Sequence, residues 1–200
     1  MIGEYGYFVW LTYLGVSFST VSIYFILQGN YNLAMQLYIL ATLCDLFDGK
    51  VARLGKRNAF QEAYGKEIDS LSDVINFACV PMALILTSSV HDILKVVIAL
   101  LLALSVITRL AYFNCIEKES DQALAYFVGL PSAYAGLFYP LALIITKLFQ
   151  PSLWSASIAF LSILLSNLFI LKIKISKPDT KAYIFYLLLA VICFLILGGM

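Results

Sequence analysis

Apolar stretches long enough to cross a membrane dominate the 200-residue chain and limit it to one class of fold. A helix needs about 20 mostly apolar residues to span the hydrocarbon core of a bilayer. Only 12% of the residues are charged, against about 25% in a typical soluble domain. We therefore predict an all-α, polytopic transmembrane helix bundle of about six to eight spans, in a single integral-membrane domain over residues 1–200. The expected spans lie near residues 7–28, 33–53, 69–87, 93–113, 129–147, 153–171 and 182–198.

Positive charge is distributed unevenly between the two sides of this topology. Only Lys95 and Lys147 fall on one side, whereas the other 11 of the 13 lysines and arginines fall at or within the loops 50–66, 109–121 and 172–181. Cytoplasmic loops carry an excess of lysine and arginine. We therefore expect these loops and the N-terminus to face the cytoplasm, across what we expect to be a prokaryotic cell membrane. The 11 residues are Lys50, Arg53, Lys56, Arg57, Lys66, Arg109, Lys118, Lys172, Lys174, Lys177 and Lys181.

Four aspartates, a third of the 12 acidic residues, lie where two neighbouring spans meet the cytoplasmic side. Asp45 and Asp48 are three residues apart at the end of the second span, and Asp69 and Asp73 are four apart at the start of the third. Both spacings place two side chains on one face of a helix. Because the connecting loop returns the chain to the same depth, we expect the four carboxylates to point into one cavity.

Four carboxylates in one membrane cavity need compensating positive charge. An aspartate at the centre of a bilayer costs about 2.5–3.5 kcal/mol, and like charges repel one another. Two hard divalent cations, Mg²⁺ or Mn²⁺, would balance the four charges, and paired metals suit displacement at phosphorus. A salt-bridge cluster with Arg53 and nearby lysines is the structural alternative. A metal transporter or channel is the alternative function. The later spans are nearly free of charge, which argues against a conducting path.

The segment DLFDGKVARLGKRNAFQEAYGKEIDSLSD, from Asp45 to Asp73, resembles the signature of the CDP-alcohol phosphatidyltransferase family, D-x2-D-G-x2-A-R-x8-G-x3-D-x3-D. Eleven residues separate Arg53 from Gly65 here, where the family pattern has eight. We expect the additional residues to lengthen the cytoplasmic loop, which leaves the positions of Lys56 and Arg57 open. The matching positions are Asp45, Asp48, Gly49, Ala52, Arg53, Gly65, Asp69 and Asp73.

The resemblance implies a catalytic domain with the fold of that family and a defined reaction. A CDP-linked lipid binds through its diphosphate and two divalent cations, an alcohol attacks the phosphorus joined to the lipid, and CMP leaves. Asp73 is the expected general base, and His91, a residue type often used as a base, lies in a loop on the far side. The implied metal ligands are Asp45, Asp48, Asp69 and Asp73, and the implied nucleotide and diphosphate site contains Gly49, Ala52, Arg53 and Gly65.

Two later segments, TRLAYFN and YFVGLPSAYAG, resemble the phosphatidylserine synthase branch of the family. That branch implies CDP-diacylglycerol and L-serine as substrates, a homodimer surrounded by membrane lipids and no nucleic-acid partner. Its acceptor site would contain Arg109, Asn114 and Ser132. The residues alone leave alternatives open, since Arg109 can snorkel to the interface, Asn114 can cap a helix and Ser132 can simply begin one. Glycerol 3-phosphate or inositol 1-phosphate is the alternative acceptor.

Overall fold

Eight α-helices account for most of the chain in a computed structural model, which describes residues 2–119, 126–176 and 179–200. Two short strands, β1 (Tyr126–Val128) and β2 (Lys174–Ser176), pair between the helices. Single 3-10 turns at Ser132–Tyr134 and Pro151–Leu153 precede two of the helices. The helices are α1 (Tyr7–Leu27), α2 (Tyr31–Ala52), α3 (Ala59–Val74), α4 (Val80–Leu86), α5 (Asp92–Glu119), α6 (Ala135–Phe149), α7 (Trp154–Ile170) and α8 (Thr180–Gly199).

Six helical segments in the described part of the chain are long and apolar enough to cross a membrane. The helix α2 is not among the six, although its 22 residues are long enough to cross a membrane. Its last turns contain Asp45, Asp48 and Lys50, which lower its mean hydropathy. The prediction of an all-α membrane bundle is thereby confirmed. The six segments are Tyr7–Leu27, Ala59–Leu86, Asp92–Ile116, Ser132–Phe149, Pro151–Ile170 and Thr180–Gly199.

The helices α1 and α2 pack closely because small residues face each other. A Cβ added at Gly15 would lie 3.2 Å from the Cβ of Cys44, so glycine is what permits this approach. Buried hydroxyls then tie α1 to its neighbours, since the Ser22 hydroxyl donates to the Ala34 carbonyl over 2.7 Å. Small residues and interhelical hydrogen bonds are the usual means of packing helices in a membrane. The result is a fixed position of α2 against α1.

The helix α3 begins ten residues earlier than the sequence predicted, and the expectation of a longer loop was wrong. Asn58 and Gln61 form a capping box, in which the Asn58 side chain accepts from the Gln61 N–H over 2.8 Å. The Gln61 side chain accepts from the Asn58 N–H over 3.2 Å. This reciprocal bonding stabilises a helix start. Residues 59–64, six of the eleven between Arg53 and Gly65, are therefore helical, and Asp69 and Asp73 lie well inside the continuous helix.

A π-helical turn over Ile75–Cys79 joins α3 to α4 without a break. Pro81 follows the turn and has no N–H to donate to the helix, which disturbs regular α-helical bonding. Asn76, in the π turn, accepts a hydrogen bond from the Ser19 hydroxyl over 2.7 Å. The middle of this long helix is thus fixed against α1, one turn deeper than the aspartates.

The segments before α6 and after α7 pair as two short strands, although both were expected to be loops. The strands β1 and β2 are antiparallel, with Phe127 opposite Ile175. The Gly129 N–H donates to the Ile173 carbonyl over 2.8 Å, at a φ of +77° that favours glycine. The helix α5 also extends beyond its predicted end, to Glu119. Of the predicted cytoplasmic lysines, Lys177 and the side chain of Lys118 lie outside the described residues.

Contact between α2 and α6 depends on Gly136, because a Cβ at this position would overlap the Thr42 side chain. We expect Gly136→Ala to separate the two helices and cost about 1–3 kcal/mol of stability, as overpacking does. Thermal unfolding in detergent should show a lower Tm. Gly199→Ala is the matched control, since a Cβ there meets nothing within 4 Å. The double variant Thr42→Gly with Gly136→Ala should recover part of the loss, because even the Thr42 Cβ would lie 2.6 Å from the added Cβ. An unchanged Tm for Gly136→Ala alone would contradict this packing.

Candidate active site

Three aspartates from α2 and α3 converge at one end of the bundle. Asp45, Asp48 and Asp69 each offer a carboxylate oxygen, and these oxygens lie within 4.8 Å of one another. Asp48 is only 6% exposed, whereas Asp69 is open to solvent. The three residues could therefore hold a metal ion between the two helices.

Asp73 adds a fourth carboxylate, so that the cluster consists of two facing pairs. The Asp48 carboxyl lies within hydrogen-bonding range of Asp69, and the Asp45 carboxyl lies within the same range of Asp73. Asp73 is one helical turn further along α3 than Asp69, which corresponds to about 6 Å. The Asp45–Asp73 pair therefore lies deeper in the bundle than the Asp48–Asp69 pair.

The carboxylate cluster fits hard divalent cations better than it fits a surface salt-bridge network. One oxygen of Asp73, Oδ1, is buried and has no hydrogen-bond partner in the part of the chain that the structure describes. A buried acceptor without a partner costs about 1–3 kcal/mol, and a coordinated cation would remove that cost. Carboxylate oxygens are the ligands that Mg²⁺ and similar ions prefer.

A threonine that sequence reasoning missed holds one of the carboxylates. The Thr12 hydroxyl donates to Oδ2 of Asp48 over 2.8 Å, and the bond is buried. Thr12 lies in α1, 36 positions from Asp48, in a span that carries four other serine or threonine hydroxyls. One hydroxyl among several gives no signal in the sequence, because serine and threonine are well tolerated in membrane helices.

A cavity of about 410 Å³ opens beside the Asp48–Asp69 pair. Arg53 and Arg57 line it, each beside a glycine. A Cβ added at Gly49 would lie 3.9 Å from Nη2 of Arg53, and a Cβ added at Gly65 would lie 3.6 Å from Nη1 of Arg57. The position of Arg57, which the sequence left open, is thus at the cavity, whereas Lys56 lies exposed in the loop. All four residues predicted for the nucleotide site line this cavity, namely Gly49, Ala52, Arg53 and Gly65.

A second cavity, of about 170 Å³, contains the three residues predicted for the acceptor. Arg109 is 8% exposed, and its Nη1 donates to the Ser132 hydroxyl over 3.1 Å. The snorkelling alternative for Arg109 is therefore wrong. Asn114 does not cap a helix either, because α5 continues past it and its Nδ2 donates to the Ser70 hydroxyl over 2.8 Å. Ser132 begins the 3-10 turn before α6.

The two cavities meet at shared residues. Lys66, Asp69 and Phe113 line both of them, and Asp73 lines only the smaller one. The Phe113 ring lies 5.9 Å from the ring of Phe127 on β1, so the paired strands border the smaller cavity. Sequence reasoning missed both aromatic residues, since they come together only through the pairing of β1 with β2.

Comparison with known proteins gives a consistent family. The model of the CDP-alcohol phosphatidyltransferase family matches residues 9–198. The chain is 36% identical to the CDP-diacylglycerol--serine O-phosphatidyltransferase of Mycobacterium bovis, over 76% of this chain and 53% of that protein. It is 31% identical to the enzyme of the same name from Mycobacterium leprae, over 90% of this chain and 63% of that protein. It is 33% identical to the archaetidylserine synthase of Methanothermobacter thermautotrophicus, over 84% of this chain and 69% of that protein. The chain thus spans about half to two thirds of the length of these relatives.

Metal binding can be measured directly on the purified protein. Mn²⁺ titration followed by electron paramagnetic resonance should detect bound metal in the wild type. Asp48→Asn removes a charge from the three-aspartate group and should weaken Mn²⁺ binding at least about tenfold, since even outer groups of a metal site contribute that much. Asp92→Asn is the control, because Asp92 lies at the start of α5 beside Lys95 and outside the cluster. Equal binding by Asp48→Asn and the wild type would exclude a metal site here.

Proposed function

Since the chain belongs to the CDP-alcohol phosphatidyltransferase family, we propose that it transfers the phosphatidyl group of CDP-diacylglycerol to L-serine, giving phosphatidylserine and CMP. The observation that carries this proposal is the pair of cavities that meet at Asp69, one beside two arginines and one containing a buried arginine. The relatives from Mycobacterium are named for transfer to serine, and the archaeal relative for a serine lipid.

The larger cavity suits the CDP part of the donor. Arg53, Arg57 and Lys66 supply positive charge along its wall, and arginine offers a planar set of donors that matches phosphate oxygens. Gly49 and Gly65 leave room for a diphosphate to approach the helix backbones, because neither has a side chain. The acyl chains of the donor would remain in the surrounding membrane.

Two divalent cations, Mg²⁺ or Mn²⁺, complete this proposal, held by Asp45, Asp48, Asp69 and Asp73. Bound there, they would supply positive charge that stabilises the phosphorus centre and the departing CMP. The chain itself fixes the geometry, since Thr12 orients Asp48 and α3 holds Asp69 and Asp73 one turn apart.

The smaller cavity suits the acceptor and its activation. Asp73 lines this cavity and is our proposed general base, which takes the proton from the serine hydroxyl. Arg109 would hold the serine carboxylate, with Asn114 and Ser132 beside it. Among the described lining residues, only Lys66 and Arg109 are cations, which favours a carboxylate over the phosphate of glycerol 3-phosphate or inositol 1-phosphate.

Metal transport by the same aspartates has less support. A conducting path needs polar residues at several depths of the bundle. The buried charged residues in the described part of the chain are Asp48 and Arg109, and both line cavities at the same end.

We further propose that the active site faces the cytoplasm of a prokaryotic cell, in one catalytic domain that forms a homodimer. The loop charges support the orientation, and the homodimer rests on the family resemblance. Cysteine introduced at Lys56 should react with an impermeant thiol reagent only after the cells are opened. Cysteine introduced at Lys147, on the far side, should react in intact cells, and the reverse pattern would contradict this orientation.

The reaction itself can be tested with purified protein, CDP-diacylglycerol and a panel of acceptors. L-serine should give phosphatidylserine and CMP, EDTA should abolish turnover, and added Mg²⁺ or Mn²⁺ should restore it. Asp73→Asn should lose most turnover because it removes the base. If glycerol 3-phosphate or inositol 1-phosphate gave product and serine gave none, the transfer reaction would stand and the acceptor would be wrong.

Substitution of the two arginines should separate donor from acceptor binding. Arg109→Ala should raise the apparent KM for serine by about 10- to 100-fold, which is the usual value of a charged hydrogen bond, with a smaller change for CDP-diacylglycerol. Arg109→Lys should recover only part, because lysine lacks the planar donor set. Arg57→Ala is the reciprocal control and should affect mainly the KM for CDP-diacylglycerol. Equal changes in both KM values for Arg109→Ala would contradict this role.

A further inference from the structure

A third cavity, of about 140 Å³, lies between α5 and α7 at the end of the bundle that carries the aspartates. Its rim includes Tyr112, Ile170 and Leu171, which are 43%, 54% and 49% exposed. Exposed apolar side chains on membrane-spanning helices face lipid, so this cavity is a groove open to the bilayer. We call it the α5–α7 groove.

The α5–α7 groove is lined by two cationic residues, Arg109 and Lys172. Lys172 comes directly after the end of α7, at the level where lysines meet lipid headgroups, and its Nζ lies 6.0 Å from the centre of the Tyr112 ring. Apart from Thr108, the remaining wall is apolar and includes the buried Phe169. A mostly apolar groove lined by two cations matches an acyl chain joined to an anionic headgroup.

Arg109 has a free donor that the acceptor cavity does not explain. Its Nη1 is bonded to Ser132 in the smaller cavity, but its Nε is buried and has no hydrogen-bond partner among the described residues. The whole residue is 8% exposed, and it lines the α5–α7 groove as well as the acceptor cavity. A buried guanidinium donor without a partner is costly, and an anion in the groove would satisfy it.

We propose that the α5–α7 groove binds an anionic glycerophospholipid from the surrounding leaflet, with its headgroup at Lys172 and the Nε side of Arg109. A zwitterionic lipid would bring its own cation close to Lys172 and Arg109, and it would therefore bind less tightly. The proposed product, phosphatidylserine, is an anionic lipid of this kind. An anion on Arg109 also weakens its attraction for the acceptor carboxylate, so the bound lipid acts as a competitive inhibitor toward serine. This second step rests on the proposed function, whereas the binding step does not.

Lipid binding can be measured without turnover by a fluorescent label at the groove. Cys115 is exposed and lies three and seven residues after Tyr112 and Thr108, on the same face of α5. Bimane on Cys115 should be quenched by brominated phosphatidylserine at a lower mole fraction than by brominated phosphatidylcholine. Lys172→Gln should raise the fraction of anionic lipid needed for half-quenching by about fivefold, the contribution expected of one lysine near a headgroup.

Lys181→Gln is the matched control, because Lys181 is an exposed lysine in the first turn of α8 and does not line the α5–α7 groove. It should retain the wild-type preference for the anionic lipid. Equal quenching by the two brominated lipids, or a preference that Lys172→Gln leaves unchanged, would overturn the site. Comparable thermal unfolding of the variants would show that the difference is local.

Competition with the acceptor tests the coupling separately. Added anionic lipid should raise the apparent KM for serine in the wild type and leave kcat unchanged, and in Lys172→Gln the same effect should need about five times more lipid. Quenching without this competition would overturn the coupling through Arg109. A protein that binds the anionic lipid but transfers nothing to serine would fail the proposed function, and the binding site would stand.

Discussion

Electrostatic repulsion among four carboxylates at one end of a membrane bundle is the constraint on which the rest of the structure depends. Two pairs face each other across α2 and α3, and nothing apolar can stabilise such a group. The chain opposes the repulsion with rigid supports. Thr12 holds Asp48 from α1, the capping box at Asn58 fixes the start of α3, and the π turn fixes its middle through Asn76. These supports keep the carboxylates close enough to share cations.

The arrangement of cavities around this cluster suits an in-line displacement. The larger cavity and the smaller one lie on two sides of Asp69, so a donor phosphorus near the aspartates would have its leaving group on one side and the acceptor on the other. Catalysis of this kind depends mainly on position, because a misplacement of about 1 Å can cost about 100-fold in rate. The paired strands matter for the same reason, since Phe127 on β1 borders the smaller cavity beside Phe113.

The sequence predicted features that depend on neighbouring residues, and it missed contacts between residues that are distant in the chain. Spacing within the motif predicted which aspartates lie together, and hydropathy predicted the bundle. The start of α3 was missed although Asn58 and Gln61 have the spacing of a capping box, because the spans were predicted from apolar stretches and residues 59–68 contain several polar side chains. Thr12 gave no signal at all. The burial of Arg109 could not be predicted, since an arginine near a helix end snorkels unless neighbouring helices enclose it.

The enclosure of Arg109 follows from the charge of the cluster. A buried guanidinium is costly in a membrane unless anions lie near it, and Asp73 and Asp45 are the anions that attract it here. Cations bound at the cluster would largely neutralise those carboxylates, and Arg109 would then attract other anions. The acceptor carboxylate is one candidate and a lipid headgroup in the α5–α7 groove is another, because Arg109 lines both cavities. A single arginine thereby connects the charge of the surrounding membrane to the proposed acceptor site.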